Sequence, residues 1–244
     1  MGEEKSLGVI GGLGPMATAY FMELIIEMTQ AERDQEHLKM IIYNCPEIPD
    51  RTAYILGKSS DNPVVPIIKI GNELKKQGVS CIAIPCITAH YFHDEIEQKI
   101  GCKVLNAIHE TAHLLKLAGI CNVGIMATDG TIQSLIFQNE IESSGMKAVI
   151  PDEQHQQIVM RMIYEDIKAG KKPDIDKFNN VVEHLKSNGA QVVILGCTEL
   201  SLVKKQYHFT NGIIDAMEVL ARTAILECGK KVKPEFENLF VPFE

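Results

Sequence analysis

Apolar residues along this chain follow two alternating rhythms. Short runs rich in β-branched residues predict buried strands: "LGVIG" (7–11), "KMIIYN" (39–44), "SCIAIP" (80–85), "NVGIMA" (122–127), "KAVI" (147–150) and "QVVILG" (191–196). Between them lie amphipathic stretches that predict helices from Pro15 to about Ala31, over about 63–77, after Thr88, over about 131–144, 153–169 and 175–188, and from about Ala216. In the 153–169 stretch, Ile158, Val159, Met162, Ile163 and Ile167 recur at helical spacing and leave Gln157, Arg161 and Lys168 on the polar side. Strands alternating with helices in this way build α/β structure, a parallel sheet covered on both faces. The tail after Gly229, with mixed charge and two prolines, is expected as a strap or a loose end.

Laying the two halves against each other reveals a repeat. "LKKQGVSCIAIPCIT" (74–88) matches "LKSNGAQVVILGCTE" (185–199): a helix ends in Lys-x-x-Gly, an apolar strand follows, and a cysteine stands eight residues after the glycine. Upstream, "GVIGGLG" (8–14) pairs with "GIMATDG" (124–130); downstream, "VLNAI" (104–108) pairs with "IIDAM" (213–217). Three matches in one order predict two pseudo-symmetric α/β lobes. The expected division is residues 1–106 with 211–244 for the first lobe and 107–210 for the second. Open parallel sheets bind ligands beyond the carboxyl ends of their strands, where each repeat sets its cysteine. Two such lobes facing across a cleft bring Cys86 and Cys197 to opposite walls.

Composition narrows the chemistry. A chain of 244 residues can bury a substantial core, and its net charge of −8 offers no basic field for a nucleic-acid backbone. No run of about 18 apolar residues suggests a membrane span. The N-terminus lacks an export-type apolar segment, so a cytoplasmic location is expected. Seven cysteines, odd in number and widely spread, suit reduced thiols better than a disulfide framework. Of these, Cys45, Cys81, Cys102, Cys121 and Cys228 read mostly as small buried hydrophobes.

Three chemistries compete for the remaining motifs. Gly12, Gly14 and Ala17 formally satisfy G-x-G-x-x-A, but Asn44 stands where a dinucleotide site wants an acid, so a tight turn feeding a helix with Pro15 at its first position reads better. Cys86, His90 and His93 form C-x3-H-x2-H, a pattern that lacks the further ligands a zinc site requires; no metal is expected. The third option uses both thiols. Each cysteine precedes a predicted helix N-terminus, where the dipole and free N–H groups favour a thiolate. One thiolate on one face of a carbon and one thiol on the other can invert a stereocentre without a cofactor.

"GVIGGLGPMAT", "PDRTAYIL", "PCITAH", "ATDGT", "VMRMIYEDIKAG" and "GCTEL" together resemble the aspartate/glutamate racemase family, and its aspartate racemase branch most. The resemblance spans about residues 7–226 and implies cofactor-independent racemisation of an acidic amino acid, aspartate before glutamate, on two lobes of a homodimer. It implies Cys86 and Cys197 as the two bases, with Cys197 acting on the L form and Cys86 on the D form. Arg51 and Lys168 match positions that hold the substrate's side-chain carboxylate, in place of being solvated surface charges. Thr88, Thr128, Thr131 and Thr198 match contacts to the α-carboxylate and amino group. Ile87 departs from the family pattern, which carries asparagine there, and its loss of an amide opens other readings: a different amino acid, an isomerase or decarboxylase on the same scaffold, or a small-molecule binding protein.

Overall fold

The computed structural model describes residues 5–207, 209 and 211–243. Two parallel sheets form. In the first, β1 (Ser6–Gly11) lies between β2 (Lys39–Asn44) and β3 (Cys81–Ala83), and Val104 adds a parallel bridge beyond β3 at Ile82. In the second, β4 (Asn122–Met126) lies between β5 (Lys147–Val149) and β6 (Val192–Leu195), with β7 (Ile213–Asp215) beyond β6. The two orders are the same once β1 is matched to β4 and Val104 to β7, which is the correspondence the sequence repeat implies. One boundary changes: β7 pairs with β6, so residues 213–215 belong to the second sheet and not, as expected, to the first lobe.

Strand alternation distributes the core into three clusters. Leu7 and Val9 of β1, Val123 and Ile125 of β4, and Val192 and Ile194 of β6 point into one shared cluster with α1 (Pro15–Met28), α5 (Ala107–Leu117), α7 (Ile136–Ser143) and α11 (Ala216–Glu227). The opposite face of the first sheet, including Ile10 and Ile82, packs on α3 (Val64–Lys76) and α4 (His93–Ile100). Met126, Val193 and Leu195 face the second lobe's outer helices, α8 (Glu153–Arg161), α9 (Ile175–Ser187) and α10 (Thr198–Tyr207). A continuous helical layer thus joins the lobes, and α11 packs against both α1 and α5.

Several elements differ from expectation for identifiable reasons. α1 stops at Met28, because Thr29 leaves the helix to pair with Val232 of the tail. The 131–144 helix divides into α6 (Asp129–Gln133) and α7 at Leu135, which adopts φ 59°. The 153–169 helix continues past α8 as a π-helical segment, Met162–Ile167. The helices α2 (Arg51–Ile55) and α5 were not predicted as separate elements, whereas a helix was expected after Cys197, where α10 stands. The tail is a strap: Gln30 N donates to Lys231 O and Lys233 N to Met28 O, while Gly212 N donates to Val241 O and Phe243 N to Gln191 O. Among the other cysteines, Cys81 and Cys228 are buried, Cys45 and Cys102 half-buried and Cys121 exposed.

Candidate active site between the lobes

The turn after β1 depends on glycine at one position. Gly12 sits at φ 94°, and a Cβ there would lie 2.4 Å from the Cys45 backbone. Thr18 of α1 accepts from Gly12 N at 2.8 Å and donates to Gly14 O at 3.0 Å, so the turn is held by its own helix. Its residues Gly12, Leu13 and Gly14, with Pro15, Met16, Pro46, Ile167 and Leu202, line an open vestibule of about 520 Å³.

Behind the vestibule is a narrow chamber of about 10 Å³, space for about one water. Cys86 and Cys197 both line it, each buried at 5% exposure. Cys86 leaves β3 and heads the 3-10 turn Ile87–Phe92; Cys197 leaves β6 and precedes α10. The equal spacing in the repeat therefore produces convergence on one space. Leu13, Asp50, Arg51, Lys168 and Glu199 line both vestibule and chamber and form the wall between them.

The two expected cations are not surface charges. Arg51, at the start of α2, is 7% exposed; its Nη2 donates to Leu13 O at 2.9 Å and its Nη1 to Pro49 O at 3.0 Å and Ile48 O at 3.3 Å, while Nε has no partner. Burial works against its charge, but the neighbouring Cys86, Asp50 and Glu199 outweigh burial and hold the guanidinium above its ordinary range. Lys168 follows the π-helical segment. Its ammonium is 3.9 Å from Asp50 Oδ2, 3.9 Å from Glu199 Oε1 and 4.1 Å from the Tyr164 ring centre. Burial likewise opposes its charge, and Glu199 leads the groups that raise its pKa.

The expected threonines divide. Thr88, Thr128 and Thr198 line the chamber, whereas Thr131 stands behind it, fully buried, 3.1 Å from Thr88 Oγ1 and 3.2 Å from Thr128 Oγ1. Thr52 of α2 donates to Thr128 Oγ1 at 3.2 Å, and Thr88 and Thr128 are 3.0 Å apart. This hydroxyl cluster crosses from the first lobe to the second. The backbones come close enough there to need Gly130, whose Cβ would meet Thr52 Cα at 3.0 Å. Ile87 lines the chamber but is 1% exposed and belongs to the shared core, so its side chain extends that core to the chamber wall.

Electrostatics distinguish the two thiols. Cys197 Sγ donates to Glu199 Oε2 at 2.9 Å. Burial first, then the Glu199 charge, pushes this thiol well above its usual range. Around Cys197, burial and a carboxylate thus act against the dipole that favours a thiolate. The C-x3-H-x2-H spacing does not converge either. His90 Nδ1 meets the Cys86 carbonyl at 3.1 Å, and His93 Nε2 lies 2.9 Å from Val104 O. Burial lowers His90 to about 4, so its ring is neutral.

Sequence reasoning missed Asp50, Thr52, Tyr164 and Glu199, although all four lie within "PDRTAYIL", "VMRMIYEDIKAG" and "GCTEL". The adjacency of Glu199 to Cys197 was the signal available.

Two parallel-sheet lobes thus each bring a thiol to one chamber. The chain belongs to the Asp/Glu/hydantoin racemase family, whose profile matches residues 10–224, and it is an isomerase of the racemase type that works without pyridoxal phosphate. It is similar to the aspartate racemase of Picrophilus torridus, with 34% identity, a TM-score of 0.81, and coverage of 95% of this chain and 97% of that one. A putative Asp/Glu racemase from Yersinia pestis matches at 25% identity and TM-score 0.78, over 92% of this chain and 99% of that one. The broad specificity amino-acid racemase RacX of Bacillus subtilis (strain 168) is 28% identical over 229 residues, 90% of this chain and 96% of the relative.

Proposed function

We propose that the protein racemises an acidic amino acid, aspartate before glutamate, by a two-base mechanism in which Cys197 takes the α-proton of the L form and Cys86 that of the D form. The observation that carries this reading is the convergence of two symmetry-matched thiols on one chamber. A thiolate on one side removes the proton, and the opposite S–H returns one to the other face of the planar intermediate. The resting Cys197–Glu199 hydrogen bond supports a protonated acid on that side. The α-proton is far less acidic than a thiol, so the reaction depends on donors fixed where negative charge develops, and Thr88 and Thr198 stand beside the chamber for that role.

Arg51 and Lys168 hold the side-chain carboxylate, and Arg51's unpartnered Nε supports this role. The chamber is too small for an amino acid, so binding requires Lys168 to leave Asp50 and Glu199 and transfer its charge to the ligand. Excluding water then strengthens the same contacts. We place this activity in a cytoplasmic homodimer of two-lobed subunits; seven free thiols agree with a reducing compartment, and sedimentation of the purified protein checks the dimer.

A second reading, a wider range of amino acids, is favoured by Ile87 and the largely apolar vestibule outside the chamber. The test is incubation of the purified protein, without cofactor, in deuterated water with both enantiomers of aspartate, glutamate and a panel of neutral amino acids, following Cα deuteration by NMR and chirality by chromatography. Deuteration of aspartate with loss of optical purity is expected. Binding without exchange would replace the catalytic reading with a binding protein. Ile87→Asn is expected to change the aspartate rate by about 2- to 10-fold relative to the neutral panel, the worth of one hydrogen bond.

A further inference from the structure

Two cysteines outside the chamber meet each other. Cys81 of β3 and Cys228, the C-cap residue of α11, bring their Sγ atoms to 3.7 Å across 147 positions of chain. Cys81 is 0% and Cys228 5% exposed, and both belong to the core cluster that the lobes share. The end of α11 is fixed there by a second set of contacts. Glu227, next to Cys228, is held twice from the first lobe: its carbonyl accepts from Lys5 Nζ at 2.9 Å and its carboxylate from Lys103 Nζ at 2.7 Å.

We propose that Cys81 and Cys228 form a redox-active dithiol, which a peroxide closes to a disulfide that ties α11 to β3. A disulfide sets its sulfurs about 2.05 Å apart, so closure draws these two together by about 1.7 Å, a movement that rotation about the Cα–Cβ bonds supplies. Cys228, the more accessible of the two, attacks the O–O bond of the peroxide. Its sulfur takes the hydroxyl as a sulfenic acid, and an alcohol or water leaves with the thiol proton. Cys81 then attacks that sulfur; the S–S bond forms, and the hydroxyl departs as water with the second thiol proton. The two thiols lose two electrons and the peroxide gains them. The contact with Cys81 first, and the charge of Lys5 acting against burial, hold the Cys228 thiol below its ordinary range, which suits it to react first.

The position gives the disulfide a consequence for the two lobes. α11 starts at Ala216, directly after β7 of the second sheet, and ends against β3 of the first. Oxidation therefore adds a covalent link between the sheets, attached to the strand that leads on to Cys86. This inference does not rest on the racemase reading, because the link is read directly by mass.

The experiment treats the reduced full-length protein with hydrogen peroxide, blocks the remaining thiols with iodoacetamide and maps linked peptides by mass spectrometry, with thermal unfolding alongside. A peptide pair joining Cys81 to Cys228 is expected. The unfolding midpoint is expected to rise by about 5–10 °C and to return with dithiothreitol, because a cross-link over so long a loop restricts the unfolded chain. Cys228→Ser is expected to lose both the linked pair and the shift, and Cys121→Ser to keep both. The exposed Cys121 gauges the dose of oxidant. Natural protein in which Cys121 is oxidised but no Cys81–Cys228 link is found, or in which either residue is joined to another cysteine instead, overturns the proposal.

Discussion

Cys86 and Cys197 occupy the same place in two copies of one structural unit, yet their nearest polar neighbours differ. Cys86 leaves β3 beside the Arg51 guanidinium; Cys197 leaves β6 bonded to the Glu199 carboxylate. The backbone is duplicated and the electrostatics are not.

The strongest break of this pair is to remove either thiol. Cys86→Ser and Cys197→Ser are each expected to lower racemisation by about 10²–10⁴-fold, the usual range for a lost general base or acid, in steady-state assays by chiral chromatography. An active Cys197→Ser protein would falsify the two-base proposal. Next in size is the shared cation. Lys168→Ala is expected to raise KM for aspartate by about 10–100-fold, as the loss of a charge-assisted contact worth about 1.5–3 kcal/mol would do, with less effect on kcat.

Glu199→Gln sharpens the comparison by bringing the Cys197 environment nearer to that of Cys86. It removes the negative charge that, after burial, holds the Cys197 thiol up. Thiolate absorbance in the variant is expected to begin at a lower pH than in the natural protein, and no movement would show that burial acts alone.

The smallest effect concerns another matched pair, the caps Asn106 of α5 and Asp215 of α11. Asp215 is fully buried, and burial first, then Glu218, raises its carboxyl from 3.8 to about 7. The folded state therefore holds a proton that the unfolded state has released between about pH 4 and 7. Stability from this group is present below that window and is lost as pH rises through it. Asp215→Asn copies the other lobe's cap, and denaturant midpoints at pH 4 and 8 are expected to differ less in the variant than in the natural protein.

The frame was legible because its signals are local. An apolar run marks a strand wherever its neighbours lie, and the repeat exposed the second lobe through residues close in sequence. The shorter elements were less visible: α2 spans only five residues, and the break at Leu135 rests on a backbone angle that no residue type announces. The cysteines stood out because both copies carry them. Asp50 did not, because its contact is with Lys168, 118 positions along the chain, whereas Glu199 stood two residues from Cys197 and was passed over. Thr131 was over-read: its hydroxyl belongs to a network between lobes and not to the chamber surface.

The terminal strap has a mechanical meaning. It is bonded at Met28 and Gln30 to the end of α1 and at Gln191 and Gly212 to the second sheet, with Leu239 sunk into the core between these anchors. One segment of chain thereby ties the end of α1 in the first lobe to the second sheet.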